Sequence, residues 1–240
     1  MKRTERRHLK ENELEKFVRE AHELFQARRR EARAAFVVVG VIAAVAVGYW
    51  AWRARVQGRA HTLLADAVAV QGARVGPPAA AGAGGAPSFA TERDRSAAAL
   101  AKFKTAADAY PSTDSGLFAR YQEASTLMAL GRPTEAAAAY QQVIDRAAAG
   151  LYGQMARLGL AEAQARAGQY DQAINTFKEL AQRKDGSLPV DGILMQLGRT
   201  YRDAGKRSDA QQTFNRLVEE YPESPFTGEA KRELDSLKKT

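Results

Sequence analysis

The side chains that most often do chemistry in proteins are sparse in this chain and poorly spaced for a shared site. It has no cysteine, and its histidines are His8, His22 and His61. A catalytic triad or a zinc site needs such groups within hydrogen-bonding or ligand distance of one another. The acidic residues are scattered, mostly near Lys or Arg, as they are on solvated surfaces. The sequence therefore predicts no enzyme activity, no metal site and no cofactor.

A glycine-rich stretch could in principle hold a phosphate group. Gly82, Gly84 and Gly85 lie among prolines and alanines, and no Lys-Ser or Lys-Thr pair follows them. A phosphate-binding loop needs that pair and a preceding strand. We therefore interpret residues 72–90 as a flexible linker.

The basic net charge of +8 is not spread over the chain. Residues 1–74 carry 15 Lys and Arg against 8 acidic residues, whereas residues 91–240 carry 21 against 20. A nucleic-acid-binding domain is expected to present a basic surface that follows the phosphates. The C-terminal part is nearly neutral and does not indicate such a basic surface, so we expect no nucleic-acid partner.

The basic excess lies next to an apolar stretch, residues 34–52, which contains no charge and no proline and is bounded by Arg33 and Arg53. As a helix these residues would be about 28 Å long, close to the roughly 30 Å hydrocarbon core of a bilayer. We interpret the stretch as a transmembrane helix in contact with lipid. A buried core helix and a cleaved signal peptide are the alternatives. Tyr49, Trp50 and Trp52 at its end are unlike the small residues of a signal-peptide cleavage site. Their aromatic rings suit the lipid headgroup layer.

The flanking charges predict the orientation of the span. Residues 1–33 hold eleven Lys and Arg, whereas the other flank has only Arg53, Arg55 and Arg59 nearby. Loops rich in Lys and Arg stay in the cytoplasm, so residues 53–240 are expected outside it. The span then separates His8 and His22 from His61.

Residues 1–33 form a basic tail with a helical pattern in its middle. Asn12 can cap a helix and Glu15 can complete the capping box. One apolar stripe follows at helical spacing: Leu14, Phe17, Val18, Ala21, Leu24 and Phe25. The tail is either an amphipathic helix that lies on the membrane or on a partner, or a solvated segment that only fixes topology. Beyond the span, residues 53–71 keep a helical pattern and could continue the same helix.

From residue 91 the chain repeats with a period of 37 residues. The matching columns are Ala99, Ala136, Ala173 and Ala210; Phe103, Tyr140, Phe177 and Phe214; Gly131, Gly168 and Gly205; and Pro111 with Pro222.

Each period predicts a pair of helices. The first ends at the glycine, which supplies a left-handed C-terminal residue. The second carries the alanine where the helices cross and the aromatic four residues later on the same face. One pair cannot bury this face alone, so the pairs must stack.

The unit resembles the tetratricopeptide repeat, over roughly residues 92–240. The last copy fits best, with Leu197, Gly198, Tyr201, Gly205, Ala210, Phe214, Leu217 and Pro222 at that family's spacing. The copy before it has Leu160, Ala161, Gly168, Tyr170, Ala173, Phe177 and Leu180, and an earlier one has Ala124, Gly131, Ala136, Tyr140 and Val143. Residues 56–71 could supply the first helix of the earliest pair. The family's usual period is about 34, so longer helices or turns are expected.

The resemblance implies an all-α fold: a right-handed helical-repeat solenoid that follows the single transmembrane helix and ends in a capping helix over residues 227–239. It also implies a groove, lined by the first helix of each pair, that binds proteins or extended peptides. The residues at matching positions are Phe118, Tyr121, Met128, Met155, Leu158, Met195, Arg199 and Arg202. Each of the aromatic and methionine side chains could instead belong to the core between repeats. The two arginines could hold a carboxylate or a phosphate.

The whole layout resembles the ancillary subunits of the bacterial Sec translocon, which carry a periplasmic repeat domain on one inner-membrane helix. That resemblance implies a chaperone-like, membrane-anchored protein-binding module, with its N-terminus in the cytoplasm and its repeats in the periplasm. A structural scaffold for an envelope, division or secretion complex is the alternative. The sequence leaves the partner and the oligomeric state open.

Overall fold

The computed structural model describes residues 29–76, 88–147, 150–182 and 188–239. Within these ranges the protein is helical apart from one pair of two-residue strands. The helix cap predicted at Asn12, the amphipathic stripe predicted in residues 14–25 and the glycines of the linker at 82–85 lie outside the described residues. The elements are α1 (Arg29–Gln71), β1 (Arg74–Val75), β2 (Ser88–Phe89), α2 (Glu92–Ala109), α3 (Asp114–Ala129), α4 (Pro133–Ala147), α5 (Leu151–Arg166), α6 (Tyr170–Gln182), α7 (Val190–Asp203), α8 (Arg207–Glu220) and α9 (Thr227–Lys239).

The chain divides into two compact units, Met1–Arg55 and Val56–Thr240, and α1 contributes to both. In the first unit, the side chains of residues 33–55 are all exposed, although most of them are apolar. Of the described helices, α1 is the one long and apolar enough to cross a membrane. A helix that belonged to a soluble core would bury such a face.

The final part of α1, residues 56–71, belongs to the second unit and packs on α2. Ala67 is fully buried there against the α2 residues Ala99 and Phe103, and Leu63 and Val70 cover the same cluster. This segment therefore supplies the first helix of the earliest pair, as the sequence pattern allowed.

The two strands form a feature that the sequence pattern did not predict. Arg74 pairs with Ser88 and Val75 with Phe89, in parallel. The Gly76 amide also donates to the Phe89 carbonyl at 2.9 Å. The hydrogen bonds hold the two ends of the linker together, so that α2 can return to the end of α1.

Three helix pairs follow, α3 with α4, α5 with α6 and α7 with α8, and each turn within a pair is built in the same way. Gly131, Gly168 and Gly205 have φ of 75°, 76° and 74°. The amide after each glycine donates to a carbonyl five residues earlier, at 2.8–2.9 Å. This is the Schellman arrangement, which satisfies carbonyls that the helix end leaves unpaired. The glycine column therefore has its predicted role.

The alanine and aromatic columns form the core between helices. The four alanines are 0% exposed, and the aromatics Phe103, Tyr140, Phe177 and Phe214 are at most 4% exposed. Two first-helix glycines let the rings approach: a Cβ on Gly159 would lie 2.4 Å from the Tyr140 ring, and one on Gly198 would lie 2.4 Å from the Phe214 ring. The stacking predicted from the 37-residue period is confirmed.

The extra length over a 34-residue unit is placed differently in successive pairs. In the first pair it lies in the helices, because α3 and α4 have 16 and 15 residues. In the second pair α6 has only 13 residues and ends at Gln182, whereas α7 begins at Val190. The C-terminal helix α9 closes the stack, with Ala230 and Leu237 buried in the core that Phe177 and Phe214 share.

Candidate binding groove

The first helices of the three pairs lie side by side, because α5 contacts both α3 and α7. We call the surface that α3, α5 and α7 present together, with the N-terminal part of α2, the groove. Polar side chains of α3, α5 and α7 lie along this surface.

One cavity opens in the groove between α5 and α7, with a volume of about 280 Å³. The α5 residues that line it are Glu162, Ala165 and Arg166, and the α7 residues are Gln196, Arg199, Thr200 and Asp203. Phe177 of α6 also lines it. A second cavity of about 260 Å³ lies between α2 and α3, lined by Glu92, Arg95, Ser96, Ser125, Thr126 and Ala129 among others.

The cavity residues follow the repeat. Ser125, Glu162 and Arg199 are spaced by 37 residues, and so are Ala129, Arg166 and Asp203. Successive first helices therefore present the same two positions to the groove. Sequence reasoning found only Arg199 among these six, because it selected apolar and aromatic residues. The 37-residue period, applied to polar residues, would have found Ser125, Glu162, Arg166 and Asp203, though not Ala129.

The predicted aromatic groove residues are half-buried and held by other rings. Phe118 contacts Tyr152, with ring centroids 5.9 Å apart. Tyr121 meets the edge of Tyr140 at 5.5 Å. Burial raises the pKa of the Tyr121 hydroxyl, and the nearby Glu162 carboxylate raises it further.

The predicted methionine and leucine positions differ in accessibility. Met195 is 1% exposed and belongs to the core, so it cannot contact a partner. Met128 and Leu158 are partly buried and pack against the cores of their own pairs, and Met155 is half-buried. Met195 is therefore a core residue. Met128, Met155 and Leu158 expose only part of their side chains to a partner in the groove.

The two predicted anion-binding arginines already have carboxylate partners on α9. Arg199 pairs with Glu229, and the Arg202 Nη1 lies 2.5 Å from the Glu233 Oε1. The pKa of Arg202 is raised, chiefly by its hydrogen bond to Glu233. Carboxylates of α9 therefore already bind the two guanidinium groups that were expected to be available to a ligand.

Glu162 stands out among the cavity's charged groups. It is half-buried in α5, and burial raises the pKa of its carboxyl, while the positive charge of Arg166 acts in the opposite direction. Within the described part of the chain, its carboxylate makes no hydrogen bond or ion pair. The groove therefore contains a negative charge without a direct partner.

The comparison with family models decides what the repeating unit is. Residues 121–187 and residues 193–224 match models of the tetratricopeptide repeat. The chain carries tetratricopeptide repeats. Such repeats generally bind proteins or peptides, and the groove lies on the face that their first helices form.

Solved structures of tetratricopeptide-like repeats have the same fold. Two structures of a putative Podospora anserina kinesin light chain with nearly identical repeats, one of them a single-substitution variant, superpose with a TM-score of 0.57. They are 15% identical to this chain, of which they match 75%, over 85% and 86% of their own length. This likeness shows the fold alone. The comparison with curated proteins gives no match.

Proposed function

We propose that this chain is a membrane-tethered protein-binding module of the bacterial cell envelope. Residues 34–52 would span the inner membrane, residues 1–33 would lie in the cytoplasm, and the tetratricopeptide repeats of residues 91–240 would lie in the periplasm. The groove would hold extended segments of secreted or envelope proteins near the site where they leave the membrane.

The exposed apolar face of α1 supports the tether. Its side chains include Val39 at 62% exposure and Trp50 at 73% exposure, on a helix whose backbone satisfies its own hydrogen bonds. Water penalises such a surface, whereas hydrocarbon does not. The basic run before it and the aromatic residues at its far end suit the two interfaces.

The polar cavities along the groove support the binding of an extended segment. They occur at two places along the groove, between α2 and α3 and between α5 and α7, and the first helices contribute the same two positions of the repeat to both. A peptide in extended conformation can place alternate side chains into such a series of small cavities. This recurrence is the observation that carries the proposal.

The experiment is photo-cross-linking in living bacteria, from a photoreactive amino acid at Ala129. This residue is exposed and lines the α2–α3 cavity. The matched control is Glu179, which is exposed on α6 outside both cavities. We expect adducts with several secreted or envelope proteins from Ala129 and far fewer from Glu179.

The identity of the adducts separates the two candidate functions. A range of unfolded secretory chains supports a chaperone-like module beside the translocon. A single stoichiometric partner supports the scaffold. Equal labelling from Ala129 and Glu179 would show that the groove is not the binding surface.

A further inference from the structure

The α5–α7 cavity contains four charged side chains, and two of them are already paired. Arg199 is bound by Glu229 on α9. Asp203 is bound by Arg202, whose Nη2 lies 2.9 Å from the Asp203 Oδ1. These two groups have little left to offer a ligand.

The remaining two charged groups differ in their access to water. Arg166 is exposed, so its guanidinium is solvated. Glu162 is half-buried next to Tyr121 and Tyr140, and its charge acts on both hydroxyls. A partly desolvated carboxylate without a hydrogen-bonding partner is a favourable acceptor for a cation, because pairing offsets the cost of its burial.

We propose that this cavity binds a lysine or arginine side chain of an extended peptide, with the Glu162 carboxylate as the acceptor of its hydrogen bonds. The inference rests on the proposed function, because it assumes that a peptide lies in the groove. The peptide would then carry a basic residue at the position that lies over the α5–α7 cavity.

Both the size and the polarity of the cavity fit this occupant. A volume of about 280 Å³ is enough for one long side chain, though not for a folded domain. Gln196 and Thr200 line the wall with polar groups, and Ala165 adds an apolar contact. The methylene stem of a lysine or arginine can lie on apolar surface while its charged end reaches a polar group.

The test uses the full chain in detergent and a library of short random-sequence peptides. We expect the peptides that the wild type retains to be enriched in Lys or Arg at one position. One retained peptide is then made with Lys and, separately, with the neutral analogue norleucine at that position. Glu162→Gln should weaken binding of the Lys peptide roughly tenfold or more and leave binding of the norleucine peptide unchanged.

The control variant is Glu179→Gln, which removes the same charge from an exposed position on α6 and should change neither affinity. An unchanged melting temperature of Glu162→Gln would show that the variant is folded. Retained peptides without basic enrichment, or equal binding of the Lys peptide to Glu162→Gln and the wild type, would overturn the inference while peptide binding by the groove survives. Recovery of no peptide at all would overturn both.

Discussion

Replacing Phe177 by alanine is expected to lower the free energy of unfolding by about 3–5 kcal/mol. The ring is 1% exposed and belongs to the core that α6 shares with α7, α8 and α9. Its removal would leave a cavity at a position where a buried alanine already brings the helices close together, so the neighbours cannot collapse to fill it. Thermal unfolding of the full chain in detergent, followed by circular dichroism, should show a melting temperature lower by about 6–20 °C.

The matched control is Leu151→Ala. Leu151 is also a large apolar residue of the repeats, yet its side chain is 60% exposed, so the change should cost less than about 0.5 kcal/mol. An equal loss from both variants would show that unfolding does not depend on the aromatic column, and the stacking account would be wrong.

The second large effect is expected at Arg120, a buried arginine of α3 that pairs with a carboxylate of its own helix and with one of α2. Arg120 is 7% exposed, and its Nη1 lies 2.5 Å from the Glu123 Oε2, while its other terminal nitrogen contacts Asp108 on α2. Arg120→Met keeps much of the apolar volume and leaves the buried Glu123 without the cation that binds it directly. Removing one partner of a buried pair typically costs about 3–5 kcal/mol. Arg132→Met, which affects an exposed arginine, is the control and should leave the melting temperature unchanged.

The loss caused by Arg120→Met should shrink in acid. Burial raises the pKa of the Glu123 carboxyl in the folded protein, and without Arg120 this pKa should rise further. The unpaired charge then destabilises the variant at pH 7 and disappears as the pH falls through that raised value. In the wild type, the hydrogen bond from Arg120 lowers the pKa of Asp108. That stabilisation is fully present above the ordinary carboxyl pKa and is lost as the pH falls from there through the lowered pKa. The two melting temperatures should therefore approach each other between pH 7 and about pH 4. A gap that widened in acid would contradict this assignment.

The repeat itself could be predicted from the sequence because its columns are apolar or conformationally special. Gly168 needs φ of 76°, which an L side chain rarely adopts, and Ala173 needs to be small at a helix crossing. Such requirements restrict the residue type, so they recur visibly at 37-residue intervals.

The groove could be predicted only in part, because its residues are restricted less by the fold. Methionine is typical of an adaptable surface, yet Met195 is 1% exposed and belongs to the core. Arg199 was found, though its partner Glu229 is thirty residues away on α9, and no local pattern links the two. Ser125 and Glu162, which occupy the same repeat position as Arg199, were not predicted, because the three residues share only polarity.

The proposed tether sets which proteins the groove can meet, because the two sides of a membrane present different partners. The most direct measurement is protease accessibility in bacteria that express the full chain with tags at both ends. After the outer membrane is opened, added protease should remove the C-terminal tag and leave a protected fragment that carries the N-terminal tag and residues 34–52. Lysis of the inner membrane should then expose the N-terminal tag. A C-terminal tag that stays protected until the inner membrane is lysed, or a full-length chain in the soluble fraction, would contradict the account.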